Sequence, residues 1–284
     1  MSADVRLSRG PLPLSLHLGG LLSGSILVIA IIGPWLAPFG PTQLGTGTPL
    51  SGASLAHPFG VDQLGRDVFS RVLHGTWLVL LLSLSGTVLG FLAGGILGLV
   101  SGQRGGWFDW LVMRGCEVLI SIPILVTALL VVALVDTQTI APLPLIIGVI
   151  GFVYAPRIAR MARSAAIEVA TRDYVTAARL RGDSGLRIAL VEILPNVSGI
   201  LLVELALRAA YAPVLVASLG FLGFGLSPPT PEWGMIIAEN RGLIFIAPIT
   251  VLGPGLMLAM LVVGINLLTE GIARVIGRSV VRTT

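Results

Sequence analysis

The chain has 284 residues, of which 55% are hydrophobic and 11% charged, and its mean hydropathy is +0.96. A water-soluble domain of this size cannot hide that much apolar surface, so the composition excludes one and points to an integral membrane protein. The formal net charge is +4 and every basic side chain is arginine; these arginines gather at the ends of apolar runs rather than on one continuous face, which excludes nucleic acid as a partner and leaves membrane lipid as the medium.

A membrane span needs about 20 mainly apolar residues. Six such stretches follow one another, near 16–38, 77–101, 112–135, 140–162, 197–221 and 246–269. Helices satisfy every backbone group within lipid, and these runs lack the alternation of barrel strands. The sequence therefore predicts an all-α integral membrane protein with six transmembrane helices. The first stretch counts as a span because it is long for a signal peptide and no A-x-A-like cleavage site follows it. The domain reading is a tail over 1–15, a first span over 16–38, an external loop over 39–76, a transmembrane domain over 77–272 and a tail over 273–284.

In the first loop, Pro58, Gly60 and Gly65 with the Asp62, Arg66, Asp67 and Arg71 charges predict a compact hydrogen-bonded structure at the mouth of the bundle. In the second span Gly86, Gly90, Gly94, Gly98 and Gly102 recur every four residues. That small-residue ladder lets another helix approach closely, and packing within the bundle is the favoured use. Val135 to Pro144 must make a short turn between the third and fourth spans, with Asp136 near an outer end.

The polar segment 168–196 interrupts the spans. Asp173 is read as a helix N-cap, Tyr174 to Arg181 as good helix formers, and Gly182 as a left-handed stop. Asp183 or Ser184 then caps a second short helix running toward Leu194 and ending at Pro195. Tyr174, Ala177, Ala178 and Arg181 share one small, flat face of the first helix, a shape suited to insertion in a cleft. An amphipathic helix lying at the headgroups is the alternative.

Within the fifth span Glu204 and Arg208 stand four residues apart, so they can pair on one helix face. Ionisable groups inside a membrane face a cavity or one another, and these two are candidates for a substrate pathway, with a self-neutralising structural pair as the competing reading. After that span, Pro228-Pro229 and Trp233 predict a stiff turn at the interface. The external loops are candidate contacts for a binding protein, through Asp62, Arg66, Asp67, Pro229 and Trp233; simple bracing of span ends carries equal weight.

Orientation follows from the arginines. One side would hold Arg6, Arg9, Arg104, Arg114, Arg157, Arg160, Arg163, Arg172, Arg179, Arg181, Arg187, Arg274, Arg278 and Arg282, the other only Arg66, Arg71 and Arg241. The positive-inside rule makes both termini and the 168–196 segment cytoplasmic. Without lysine the chain cannot form the G-x-x-x-x-G-K-[ST] phosphate loop, so any ATP hydrolysis belongs to another chain. Cys116 has no partner cysteine, and His17, His57 and His74 fall at no ligand spacing. The expectation is a non-enzymatic chain with no metal site.

The 168–196 segment resembles the coupling motif of permease subunits of type I ATP-binding-cassette importers. That motif reads E-A-A, three residues, G, nine residues, I-x-L-P; here stand Thr176-Ala177-Ala178, Gly182 and Glu192-Ile193-Leu194-Pro195. Thr176 and Glu192 depart from it. The peptide-branch form, D-Y-V-x-A-A-R-x-x-G-x-S-x-x-R-I followed by I-L-P-N, fits better through Asp173, Tyr174, Val175, Ala177, Ala178, Arg179, Gly182, Ser184, Arg187, Ile188 and Ile193 to Asn196. The run from His57 to Arg71 resembles H-P-F-G-T-D-x-L-G-R-D-V-x-S-R, and Phe221 to Gly234 resembles F-L-G-x-G-x-x-P-P-T-P-E-W-G. The family's glutamate before A-S-L-S-F-L-G is Val216 here. The likeness runs from about Leu18 to Arg274.

The resemblance is to the C-type permeases of the dipeptide, oligopeptide and nickel branch. It implies a type I importer permease fold and ATPase coupling by Asp173, Tyr174, Val175, Ala177, Ala178, Arg179, Gly182, Ser184, Arg187, Leu194 and Pro195. It also implies a second homologous permease subunit, two ATP-binding-cassette ATPase subunits that hold ATP and Mg, an extracytoplasmic substrate-binding protein, and the bacterial cytoplasmic (inner) membrane. The cargo it implies is a short peptide, with nickel or a metal chelate as the alternative. A secondary transporter working alone would call for inverted repeats with unwound helices, and neither is clear in the chain.

Overall fold

The computed structural model describes residues 13–135 and 142–280. Arg6, Arg9, Asp136 and Arg282, and most of the turn expected between Val135 and Pro144, lie outside the described residues, as does the side chain of Arg278.

Helix α1 covers Leu14–Leu36 and α2 covers Val68–Arg104. The latter starts earlier than its apolar run because the Asp67 carboxylate caps it, accepting from the Ser70 N–H at 2.7 Å. Residues 68–76 are thus the first turns of α2 rather than external loop. Helix α5 spans Pro142–Ala170, and the glycine ladder of α2 seats it. Gly86 faces Ile150, Gly90 faces Gly151 and Tyr154, Gly94 faces Ile158, Gly98 faces Ala162 and Gly102 faces Ala166. A Cβ on Gly98 would stand 2.6 Å from that of Ala162, so the close approach depends on the missing side chains. Both sets of numbers climb together, hence α2 and α5 run parallel.

Parallel packing forces the chain to return across the bundle between Arg104 and Pro142. It does so as two helices, α3 over Gly106–Ser121 and α4 over Ile124–Leu134, bent by 101°. The third span is therefore broken, not the continuous helix its hydropathy suggested. Pro123 is the cause: it lacks an N–H and keeps Ile122 extended, at φ −84° and ψ 135°. With the bend shared about the membrane normal, the two pieces reach about 25 Å, close to the hydrocarbon thickness.

Past α5 come α6, Asp173–Leu180, and α7, Gly185–Arg187. The chain then passes through one π-helical turn, Ile188–Ile193, straight into α8, Leu194–Phe221. The second short helix does not end at Pro195, then; it is the foot of the fifth span. A wider π turn removes the clash that a proline ring makes with the preceding turn of an α-helix, and the Leu194 N–H bonds to Ala189 instead. Short α9, Trp233–Asn240, and a 3-10 turn, Arg241–Leu243, lead to α10 over Ile249–Val280. Helices α1 and α10 pack antiparallel, with Gly19 against Leu268, Gly264 against Ser23 and Gly271 against Leu16. Among the described residues this makes six crossings if the α3–α4 pair counts as one.

Two apolar cores matter for function. One joins Leu82, Ile150, Ile158, Leu215 and Leu219 in the middle of the bundle. The other joins Leu99, Ala166, Val175, Ala178, Ile188 and Ile193 beneath α6.

Candidate functional site

Helix α6 is bound to its own chain on one side and bare on the other. Val175 and Ala178 are fully buried in the apolar cluster with Ile188 and Ile193, while Tyr174, Ala177, Leu180 and Arg181 are exposed. The expected seating face thus loses Ala178: helical spacing of three puts it beside Val175 on the inner side. It gains Leu180, 85% exposed, three residues beyond Ala177. A large apolar residue on so polar a helix was the available signal. Arg172, without a side-chain cap bond, takes the N-cap position. Asp173 is the first helical residue, where its charge suits the positive end of the helix.

The stop at Gly182 is as expected, with φ 80°. Its N–H bonds to Arg179 O at 3.0 Å and the Asp183 N–H bonds to Ala178 O at 3.2 Å, which is a Schellman closure. Asp183 then sits between Arg181 at 2.9 Å and Arg187 at 3.5 Å, and Arg181 reaches Glu192 at 3.6 Å. Exposed pairs of this kind add little stability each. Ser184 caps α7 by accepting from the Arg187 N–H at 3.3 Å, and Gln103 at the end of α2 donates to Gly185 O at 2.8 Å. Arg179 and Pro195 are exposed and Leu194 is half-buried.

Glu204 and Arg208 do pair, with Arg208 Nε donating to Glu204 Oε1 at 2.7 Å. The Arg208 guanidinium also lies 5.9 Å from the Tyr154 ring centroid, within cation–π range. Both residues line a cavity of about 490 Å³ together with Ile120 of α3 and Arg157, Arg160 and Ser164 of α5. The two α5 arginines were counted as cytoplasmic-side charge. The helix continues to Ala170, so they stand about 20 Å and 15 Å from that end. Falling hydropathy after Ala162 hid the last part of this helix.

The two stretches read as external loops hold one another rather than presenting charge. Asp62, Asp67, Arg66 and Trp233 are all buried, so they do not form an open surface for a binding protein, and among the expected contacts only Pro229 is exposed. Asp62 accepts from Arg66 Nε at 2.6 Å and from Arg71 Nη1 at 3.2 Å, and both arginines reach Glu239 of α9, at 2.9 and 2.5 Å. His57 Nδ1 lies 2.9 Å from Asp67, and Trp233 Nε1 donates to Val72 O at 3.1 Å. Buried charges persist only when paired in this way. Glu232, also buried, caps α9 by accepting from Gly234 and Met235 N–H groups at 2.8 and 2.9 Å. Burial pushes its carboxyl up to about 7, outweighing the lowering by those two bonds.

Residues 86–282 match the family described as binding-protein-dependent transport system inner membrane component. The chain belongs to this family. Its relatives include the di/tripeptide transport system permease protein DppC of Pseudomonas aeruginosa, 37% identical over 262 residues, 90% of this chain and 85% of the relative. The dipeptide transport system permease protein DppC of Haemophilus influenzae is 34% identical, covering 87% of this chain and 84% of the relative. The glutathione transport system permease protein GsiD of Escherichia coli is 36% identical, covering 87% and 80%. Among solved structures, the MetNI methionine ABC transporter in an inward-facing form matches with a TM-score of 0.57 at 20% identity, over 72% of this chain and 95% of that one. That likeness shows a shared permease fold. The permease is therefore a multi-pass inner-membrane subunit of an ATP-binding-cassette importer, as the motif resemblance implied.

Proposed function

We propose that this permease forms half of a heterodimeric pathway for short peptides and carries ATPase motion into the bundle through α6. The observation behind this reading is the two-sidedness of α6: Val175 and Ala178 are locked inward, while Tyr174, Ala177, Leu180 and Arg181 are exposed. A helix anchored in this way transmits a push to α5 and α8 instead of absorbing it. The second permease subunit is homologous, and two ATPase subunits hold ATP and Mg, this chain binding no cofactor and performing no chemistry. The arginine excess supports a cytoplasmic location for both termini and for α6. An extracytoplasmic binding protein delivers cargo at the opposite end. Relatives named for di/tripeptide, dipeptide and glutathione transport favour peptides over nickel.

The test uses Leu180→Asp and Ala177→Arg in the complete importer, with Ala177→Ser as control. The two disruptive variants are expected to lose co-purifying ATPase and peptide uptake while the permease pair stays assembled. Full uptake with the ATPase retained in both would sink the proposal.

A further inference from the structure

We propose that the cavity between α3, α5 and α8 is a transit site for carboxylate-bearing cargo, with Arg157 and Arg160 as its anion-reading groups. The inference rests on the peptide-import reading and adds to it a chemical criterion for the cargo.

The lining is unbalanced in charge. Three guanidinium groups, those of Arg157, Arg160 and Arg208, face one carboxylate, that of Glu204. Glu204 is already engaged by Arg208 on two donors, Nε at 2.7 Å and Nη2 at 2.5 Å. Arg157 uses Nη1 on the Val153 carbonyl of its own helix at 3.0 Å, which leaves most of its five donors free. Arg160 is exposed and, among the described residues, takes part in no ion pair. Two cations therefore await an anion.

Their depth gives that imbalance meaning. Arg157 sits near the middle of α5, about 22 Å from its Pro142 end and about 20 Å from its Ala170 end, and Glu204 lies about 15 Å from the Leu194 end of α8 and about 25 Å from its Phe221 end. At such depth ionisable groups are costly and mark cavities or pathways. The site is also the right size: 490 Å³ falls in the range of about 300–1,000 Å³ typical of small-ligand pockets. A close helix–helix contact in a membrane is built from small residues, as on the α2 ladder, whereas here the lining is long, polar and spaced. Arginine forks match carboxylate geometry bidentately, so the group best recognised is the free carboxylate of the cargo. Its amine has no comparable partner, since Glu204 is already neutralised.

The experiment compares one tripeptide with a free C-terminal carboxylate against its C-terminal amide. Each is loaded to saturation on the binding protein, and uptake is measured in liposomes holding the complete importer. The parent importer is expected to move the free acid about tenfold faster, the size of one or two charge-assisted hydrogen bonds. Arg157→Gln/Arg160→Gln is expected to slow the acid about tenfold, leave the amide nearly unchanged and so erase the preference. Equal slowing of both peptides, or no slowing of either, overturns the inference. Arg160→Gln alone, altering an exposed side chain, is the companion variant should the double variant assemble poorly; it is expected to give part of the same narrowing. Loss of the second permease subunit in both variants would assign the arginines to the subunit interface and overturn the inference equally. An unmodified importer that moves neither peptide would instead refute peptide import itself.

Discussion

Glu232 holds the first turn of α9 with both carboxylate oxygens, in a space so close that a Cβ on Gly220 would strike it. Its carboxyl titrates at about 7 in the folded chain against an ordinary 4.5. The folded state therefore binds this proton more tightly. The stability it contributes is fully present below 4.5 and is lost as pH rises through about 7. Thermal unfolding in detergent should occur at lower temperature at pH 8 than at pH 5. Glu232→Gln, which keeps an acceptor and removes the charge, should flatten that difference; a slope unchanged from the parent would refute it. Asp62 is a buried carboxylate of another kind, ion-paired with both Arg66 and Arg71. Removing it by Asp62→Ala leaves a buried cation short of a partner and should cost about 3–5 kcal/mol, read as a large drop in melting temperature.

At the scale of elements, hydropathy located the spans but not their ends or breaks. The stop at Gly182 is a local signal and was legible, because it depends on residues within one turn, whereas the equally local cap at Asp67 lay inside a stretch read as loop. The continuation of α5 from Ala162 to Ala170 was not legible, since this charged end is held by Ala162, Ala165 and Ala166 packing against neighbours rather than by its own hydropathy. The bonding of Asp62 with Arg66 and Arg71 was legible as a compact charged loop, but its Glu239 partner was not, because Arg66 and Arg71 reach it across sequence separations of 173 and 168 residues. The inner and outer faces of α6 likewise depend on Ile188 and Ile193, which approach only because the fifth span begins with the π-helical turn beside α6. The glycine ladder was read for what it is. Gly98→Leu should separate α2 from α5, since even a Cβ meets Ala162 and the backbone near Arg163. The expected result is loss of folded protein from the membrane, whereas Gly95→Leu, with open space at its Cβ position, should be tolerated.

For the whole molecule, parity decides the topology. Helices α2 and α5 run parallel and α1 and α10 antiparallel, so the α3–α4 pair must cross the membrane despite its 101° bend. If it were a re-entrant loop, α5 would begin at the end where α2 finishes, and Gly86 could not face Ile150 while Gly102 faces Ala166. Single cysteines test this directly in a Cys116→Ser background, that thiol being buried. A membrane-impermeant maleimide should label Ser54→Cys and Val135→Cys from one side of vesicles, and Asp183→Cys and Gly105→Cys from the other. The discriminating position is Val135, at the end of α4. If Val135→Cys reacted from the same side as Asp183→Cys, the broken pair would turn back within the bilayer and the parallel seating of α2 on α5 would be wrong. If it reacts with Ser54→Cys, the bend at Pro123 lies within a true crossing, beside the Ile120 wall of the charged cavity.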